Sequence, residues 1–280
     1  MREGFFIAVC TLGEHPNLTR CLANLLEISE VSLETVQIIV VMNKESSEIE
    51  FDPKLLIVYE PARGYSNARN AAIAAVPKKS NLIFLDDDEI PTLSWLEAII
   101  DSHRRFPRDV IFGPVFSDSD PNSGYYRENF KSTYESMSDG TLVKQASTAN
   151  MLIPSYLLDN NRVVFDPIFN LSGSEDTDLC FRLRKQGVGI RYSKQAVIKE
   201  VQTDQRRDSQ YLTARRLRDI CNYSVVIRRN SSFYEIAWRF VTLASRVILY
   251  SIVSIFFSEF RFEAKLYFMS LKALLNGKVT

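Results

Sequence analysis

The sequence has few of the side chains from which proteins build structural zinc sites. It holds four cysteines and two histidines in 280 residues, and no two cysteines form a CxxC pair. Structural zinc needs four such ligands at close spacing, so a zinc-stabilised module is disfavoured. Cysteines this far apart are typical of buried, inert thiols in a reducing compartment.

The chain also lacks an excess of charge of either sign. Lysine plus arginine number 34, aspartate plus glutamate number 34, and the formal net charge is +0. A protein that coats nucleic acid is therefore disfavoured, and no nucleic-acid partner is expected. The apolar run at 5–12 enters a polar turn without the small residues of a signal-peptide cleavage site. We expect a cytoplasmic protein.

Short apolar strands alternate with helical patterns along the first half of the chain. Strands are predicted at 5–10, 36–42, 55–59, 82–85 and 110–116, and helices after an Asn17 N-cap, at 67–76 and at 95–105. This alternation predicts an α/β domain with a mostly parallel central sheet flanked by helices. Ligands of such sheets bind beyond the carboxyl ends of the strands.

The second half is predicted to be mainly helical. One helix follows Ser174 as N-cap and stops at Gly187, and another covers 211–229. From Phe233 the chain reads as long apolar helix. We therefore expect two parts: an α/β domain at 1–230, and a helical extension at 231–280 that associates with a membrane or forms oligomers.

An acidic run, residues 86–89, directly follows the strand predicted at 82–85. Alternation along an extended chain would place Asp86 and Asp88 on one side. Carboxylate oxygens suit Mg²⁺ or Mn²⁺, which bind through a few carboxylates plus substrate phosphates. The alternative is a solvated acidic turn that caps a helix starting near Pro91.

A second acidic group and several arginines are the other candidate functional residues. Glu175, Asp176 and Asp178 fall in the first turn of a predicted helix, where the helix dipole alone would favour them, or where one carboxylate could act as a general base. Arginines suit pyrophosphate, although a basic helix is usually only solvated. They are Arg63 and Arg69 around Gly64, and Arg206, Arg207, Arg215, Arg216 and Arg218.

Seven short segments in a consistent order resemble the family 2 glycosyltransferases, which have the GT-A fold. The segments are IAVCT at 7–11, RGYSNARN at 63–70, FLDDDE at 84–89, FGPV at 112–115, TANM at 148–151, GSEDTD at 173–178 and the pair Arg215-Arg216. Each alone is weak, but their order and spacing over residues 5–229 are specific. The resemblance implies an inverting enzyme that uses a nucleoside-diphosphate sugar, a UDP-sugar above all.

The resemblance also implies roles for single residues. Asp86 and Asp88 match the DxD pair that holds Mn²⁺ or Mg²⁺ and the donor, and Glu200 stands where many relatives have a residue close to the metal. Asp176 matches the catalytic base, with Glu175 beside it. The implied donor-binding positions are Thr11, Glu14, Asn43, Arg63, Arg69, Asp86, Asp87, Arg215 and Arg216. Asn43 departs from the aspartate that the family often has there, so the nucleotide base stays open.

Two other functions compete with this interpretation. A sugar-phosphate nucleotidyltransferase would carry a glycine-rich, basic loop after its first strand, whereas residues 11–16 contain one glycine and no lysine or arginine. A non-catalytic glycan-binding protein of the same fold would be expected to have degenerate acidic motifs, and both motifs are intact. A glycan or a lipid-linked molecule is the expected acceptor.

The C-terminal extension predicts a membrane contact. Residues 240–257 carry one charge, Arg246, and polar residues recur every four positions, at Thr242, Arg246, Tyr250, Ser254 and Ser258. Aromatic residues precede this segment and basic residues follow it, as interfacial anchors do. We expect a helix lying in the membrane interface, peripheral on the inner face of the cell membrane. The alternative is a helix packed on the domain or on the partner in a homo-oligomer.

Overall fold

The fold is built on a central seven-stranded sheet with the order β3-β2-β1-β4-β8-β6-β9. The computed structural model describes residues 4–13, 16–45, 50–117, 136–200 and 208–278. Only β8 runs antiparallel to its neighbours, β4 and β6. The strands are β1 Gly4–Thr11, β2 Val36–Met42, β3 Leu56–Tyr59, β4 Ser80–Asp86, β5 Glu89–Pro91, β6 Val110–Phe112, β7 Val115–Ser117, β8 Asn150–Ile153, β9 Ile190–Tyr192 and β10 Ile198–Glu200.

Helices cover both faces of this sheet. They are α1 Leu18–Val31, α2 Tyr65–Ala75, α3 Trp95–Arg105, α4 Ser155–Asp159, α5 Glu175–Lys185, α6 Ser209–Asn230, α7 Phe233–Phe256 and α8 Arg261–Asn276. Alternate residues of β1 point to opposite faces: Ile7 and Val9 pack with α1 and α3, whereas Ala8 packs with α2 and α5. The predicted α/β fold, GT-A-like with C-terminal helices, is confirmed.

One predicted strand was wrong. The apolar run at 110–116 forms two strands in different sheets, β6 in the main sheet and β7 in a three-stranded sheet of order β5-β10-β7. Pro114 has no N–H to continue a ladder, and a Cβ on Gly113 would lie 2.0 Å from the Ala196 carbonyl oxygen. The chain therefore leaves the main sheet at this pair of residues.

Two predicted helix caps also differ in detail. Asn17 and Ser174 occupy the N-cap positions of α1 and α5, but neither side chain makes the capping hydrogen bond. Ser174 instead takes a left-handed backbone conformation with φ of 77°. The predicted stop at Gly187 agrees with the structure, because this glycine follows α5 with φ of 78°.

The two C-terminal helices, α7 and α8, form a helical hairpin that packs on α6. Helix α8 packs against α6, where Ala273 joins a buried cluster with Cys221 and Val225, and α7 packs along α8. The predicted polar stripe of α7 does not face solvent as a whole, because Tyr250 stacks on Tyr267 of α8 at 5.2 Å between ring centroids. The guanidinium of Arg246 lies 5.2 Å from the centroid of the same Tyr267 ring.

Candidate active site

The first acidic group lies at the carboxyl end of β4, beside the end of β1. Asp86, Asp88 and Glu89 bring one carboxylate oxygen each to within 4.8 Å of one another. Asp87 is not part of this cluster and accepts a 2.5 Å hydrogen bond from the Thr11 hydroxyl. The acidic run therefore lies at the edge where a parallel sheet binds its ligands, as the sequence predicted.

The local backbone differs from both expectations for this run. Residues 87 and 88 form a turn between β4 and β5, so Asp86 and Asp88 do not approach each other by alternation along one extended strand. Helix capping does not explain the run either, because β5 intervenes and α3 begins only at Trp95. The cluster forms because the turn folds the chain back on itself.

Glu89 is the member of the acidic cluster that sequence reasoning had not assigned to the metal. It is buried, and burial together with the neighbouring Asp86 and Asp88 raises its pKa well above the usual range. In the β5–β10 ladder Glu89 lies opposite Glu200, which raises the same pKa further. A divalent cation would offset this repulsion, and an all-oxygen set of carboxylates fits Mg²⁺ or Mn²⁺.

Arg69 connects the two acidic groups of the site. Its guanidinium forms an ion pair with Glu175 and lies 3.5 Å from an Asp86 carboxylate oxygen. Arg69 is buried, and burial lowers its pKa, but Glu175 and Asp86 outweigh this effect and raise it. The arginine therefore stays charged between carboxylates that lie far apart in the sequence.

Asp176 and Asp178 stand in the same helical turn in different surroundings. Asp176 is half-buried, and its Oδ1 accepts a 2.6 Å hydrogen bond from the Thr177 backbone N–H. Asp178 is buried, and its two oxygens accept hydrogen bonds from Arg182 at 2.7 Å and from Asn230 at 2.8 Å. Asp178 thus ties α5 to α6, whereas Asp176 has the exposure that a base needs to meet an acceptor.

Glu175 is held inside the site beside Asp176. One of its oxygens contacts Arg69, and the other is buried without a hydrogen-bond partner among the described residues. Burial raises the pKa of Glu175 to about 7, with Arg69 lowering it and Asp176 raising it. Glu175 is therefore a buried carboxyl next to the predicted base, held in place by Arg69.

Two asparagines that the sequence analysis did not identify hold the loop before Asp176. The Asn222 side chain of α6 donates to the carbonyls of Ser172 at 3.0 Å and Gly173 at 3.2 Å. The Asn170 side chain accepts a 3.0 Å hydrogen bond from the backbone N–H of Asn67 in α2. No local motif marks these residues, because each acts on a segment that is distant in the sequence.

Gly64 is required by the contact between α2 and this loop. Its φ of 146° lies in a region that almost only glycine adopts, and a Cβ there would lie 2.4 Å from the Asn170 side chain. Gly64→Ala is expected to lower the free energy of unfolding by more than about 3 kcal/mol, because the clash adds to backbone strain. Urea denaturation measures the change.

Gly187→Ala is the matched control for Gly64. Gly187 also has a positive φ, but a Cβ there would meet nothing within 4 Å. Backbone strain alone is expected to cost about 1–2 kcal/mol at this position. Equal losses of stability in the two variants would contradict the role given to the contact between Gly64 and Asn170.

Several predicted donor-binding residues have other partners or lie outside the described residues. The side-chain amide of Asn43 donates hydrogen bonds to the backbone carbonyls of Glu60 and Ala62, in the loop before α2. Arg63 is exposed at this loop. Glu14 lies outside the described residues, and so do Arg206 and Arg207. A donor role for these residues stays a prediction.

The arginine pair of α6 has acidic partners in the helical layer. Arg216 forms an ion pair with Glu263 of α8 at 2.8 Å, and Arg215 lies 3.8 Å from Asp219. Burial raises the pKa of Asp219, Arg215 and Arg218 lower it, and Asp176 raises it further. Arg215 therefore belongs to a charged group within electrostatic reach of Asp176, whereas Arg216 links α6 to α8.

Comparisons with known proteins agree with this architecture. The family model described as glycosyl transferase family 2 matches residues 6–159. The succinoglycan biosynthesis protein ExoM of Rhizobium meliloti (strain 1021) is 25% identical over 245 residues, which are 83% of this chain and 78% of that protein.

A solved structure shares the fold at low sequence identity. The crystal structure of S. aureus TarS 1-349 in complex with UDP-GlcNAc superposes with a TM-score of 0.59 and 16% identity. The match covers 84% of this chain and 66% of that chain, so the chain spans slightly less than two thirds of the TarS structure. At this identity the likeness shows the fold alone.

Proposed function

The chain belongs to glycosyl transferase family 2 and is a glycosyltransferase, and from that premise we propose that it inverts the anomeric carbon in a single displacement. The observation that supports this proposal best is the bridge made by Arg69 between Asp86 and the Glu175-Asp176 segment. It places a carboxylate cluster suited to a donor's cation beside a second carboxylate suited to an acceptor's proton. Single displacement requires the donor and the acceptor to meet in one site, and this arrangement could supply both groups there.

Asp86, Asp88 and Glu89 would hold Mn²⁺ or Mg²⁺, with Glu200 opposite Glu89 as a further candidate ligand. The bound metal supplies Lewis-acid stabilisation of the charge on the departing nucleoside diphosphate. Asp87 has a separate role, since its hydrogen bond with Thr11 ties the end of β1 to the acidic turn. Asp87 and Thr11 would both border the bound donor.

Asp176 would remove the proton from the acceptor hydroxyl as that oxygen attacks the anomeric carbon. A general base has to reach its proton directly or through one water, and Asp176 is more exposed than either Glu175 or Asp178. Glu175 would position the site by holding Arg69 between the two acidic groups. The donor-binding roles of Thr11, Glu14, Asn43, Arg63, Arg69, Arg215 and Arg216 remain part of this proposal.

A UDP-sugar is the donor that we propose, and a glycan or lipid-linked molecule is the acceptor. The TarS structure holds UDP-GlcNAc, and the name of ExoM refers to succinoglycan biosynthesis. A lipid-linked acceptor would be met at the inner face of the cell membrane, where we place this cytoplasmic enzyme. We retain the division into a domain at 1–230 and a helical extension at 231–280, although α8 shares a buried cluster with α6.

A donor screen tests the function. UDP-sugars and other nucleotide sugars are added with Mn²⁺, and the melting temperature is followed, because a ligand that binds the native state raises it. The expected result is a rise with one UDP-sugar, followed by release of free nucleoside diphosphate. Given a nucleoside triphosphate and a sugar 1-phosphate in a parallel assay, a nucleotidyltransferase would instead release pyrophosphate, and a non-catalytic glycan-binding protein would release neither product in either assay. Either outcome would overturn the proposal.

A further inference from the structure

Helix α7 presents a continuous apolar face to the outside of the protein. It is long and apolar enough to cross a membrane by length and composition, and is the one such helix among the described residues. Exposed apolar side chains recur at helical spacing on this outer face of α7, which we define as Tyr234, Trp238, Val241, Ile248, Leu249, Ile252, Ile255 and Phe256. A contiguous exposed apolar face is typical of an interaction surface.

The charges of α7 point away from this face. The Arg239 guanidinium lies 5.4 Å from the Tyr223 ring centroid of α6, and Arg246 lies over Tyr267 of α8. At the start of the helix, Glu235 is used in a capping box with Ser232. Arg239 and Arg246 thus contact rings of the neighbouring helices, Glu235 and Arg246 stay exposed to solvent, and the outer face as defined contains no charged residue.

A basic stripe runs along the neighbouring helix α8. Arg261, Lys265 and Lys272 are exposed at the spacing of one helix face, with the exposed Phe268 between them. Glu263, the acidic residue of this helix, faces inward to Arg216 of α6. These exposed cations therefore lie on the helix that packs directly against α7.

We propose that the outer face of α7 and the basic stripe of α8 together dock on an anionic lipid bilayer. The proposal rests on the membrane location given above, but not on the chemistry of sugar transfer. Aromatic side chains at the start of α7, Tyr234 and Trp238, suit the headgroup region. Cations beside an apolar face complement anionic headgroups, whereas a second copy of this chain would bring a like-charged stripe.

The packing indicates that α7 lies along the bilayer surface and does not span it. Helix α7 packs along α8, and α8 is anchored to α6 by the Arg216–Glu263 ion pair and by hydrogen bonds from Arg228 to the carbonyls of Leu274 and Leu275. Insertion of α7 across a bilayer would draw the charged α8 inward or break these contacts. An interfacial helix keeps them and buries only the outer face.

Vesicle flotation of the full-length protein tests the proposal. The expected result is binding to phosphatidylcholine vesicles that contain phosphatidylglycerol, and weaker binding to phosphatidylcholine alone. The double variant Ile248→Ser/Ile252→Ser is expected to bind on the order of tenfold more weakly or worse. Val31→Ser/Leu33→Ser, which changes two exposed apolar residues at the end of α1, is the matched control and should bind like the wild type.

Lys265→Ser/Lys272→Ser is expected to remove the preference for anionic vesicles and to reduce the salt dependence of binding. The α7 and α8 variants should keep the donor-induced rise in melting temperature, which shows that they are folded. Absence of wild-type binding to either vesicle would overturn the proposal. So would a wild-type dimer, detected by light scattering, that Ile248→Ser/Ile252→Ser dissociates. Vesicle binding without turnover of any donor would refute the proposed function but would still support docking of this surface on a bilayer.

Discussion

Asp176→Asn is expected to lower turnover by about 10²–10⁴-fold, the contribution of a general base. The amide is nearly isosteric with the carboxylate but is a far poorer proton acceptor. It can still take the hydrogen bond from the Thr177 N–H, so the start of α5 should be kept. Donor affinity should stay close to that of the wild type. Steady-state release of nucleoside diphosphate and donor titration measure the two quantities separately.

Asp178→Asn is the matched control, two residues further along α5. Both oxygens of Asp178 are engaged by Arg182 and Asn230 in a buried position. An amide can satisfy only one of these donors, so the loss is expected in stability, at about 1–3 kcal/mol. Turnover per folded molecule should change little. Normal turnover in Asp176→Asn together with lost turnover in Asp178→Asn would show that Asp176 is not the base.

Asp88→Asn is expected to abolish Mn²⁺- or Mg²⁺-dependent turnover, with a loss on the order of 10³-fold or more. Lewis-acid stabilisation by a metal contributes several kcal/mol, and a three-carboxylate site loses one ligand charge in this variant. Donor binding should weaken as well, because the diphosphate would share the same cation. Turnover with and without excess EDTA checks the wild type, and activity that survives the chelator would refute the metal assignment.

The melting temperature gives a second readout for Asp88→Asn that does not depend on activity. Without metal, removal of one of three crowded carboxylates relieves repulsion on the buried Glu89, so the variant should be at least as stable as the wild type. With Mn²⁺ the wild type should have the higher melting temperature, because only the wild type gains binding energy from the metal. Asp101→Asn, an exposed change of the same charge on α3, should show neither effect.

Local patterns in the sequence predicted most of the elements because their causes are local. Strand β2 and helix α3 have the bounds that were predicted, since an apolar strand run and an amphipathic helix each bury one set of side chains. The single strand predicted at 110–116 was wrong because the apolar run continues through Gly113 and Pro114, where the strand ends. Only the close approach of the Ala196 carbonyl shows that the chain passes into another sheet there.

The acidic residues of the site were visible in the sequence, but their neighbours in space were not. Glu89 enters the cluster only because a turn follows Asp86. Arg69 reaches Glu175 across 106 residues, and Asn222 holds the backbone before Glu175 from a different helix. No periodicity records such contacts, because they depend on which helices pack above the edge of the sheet.

By itself the sequence determined the α/β class, the two acidic motifs and an apolar C-terminal helix, because strand and helix periodicities and short motifs are properties of neighbouring residues. Tertiary structure alone decided that Asp176 is only half-buried while Asp178 is buried and bonded to α6. It also decided that the polar side of α7 packs on α8, which leaves the apolar side outward. Burial and orientation depend on packing partners, and a partner that lies far away in the sequence has no local signature.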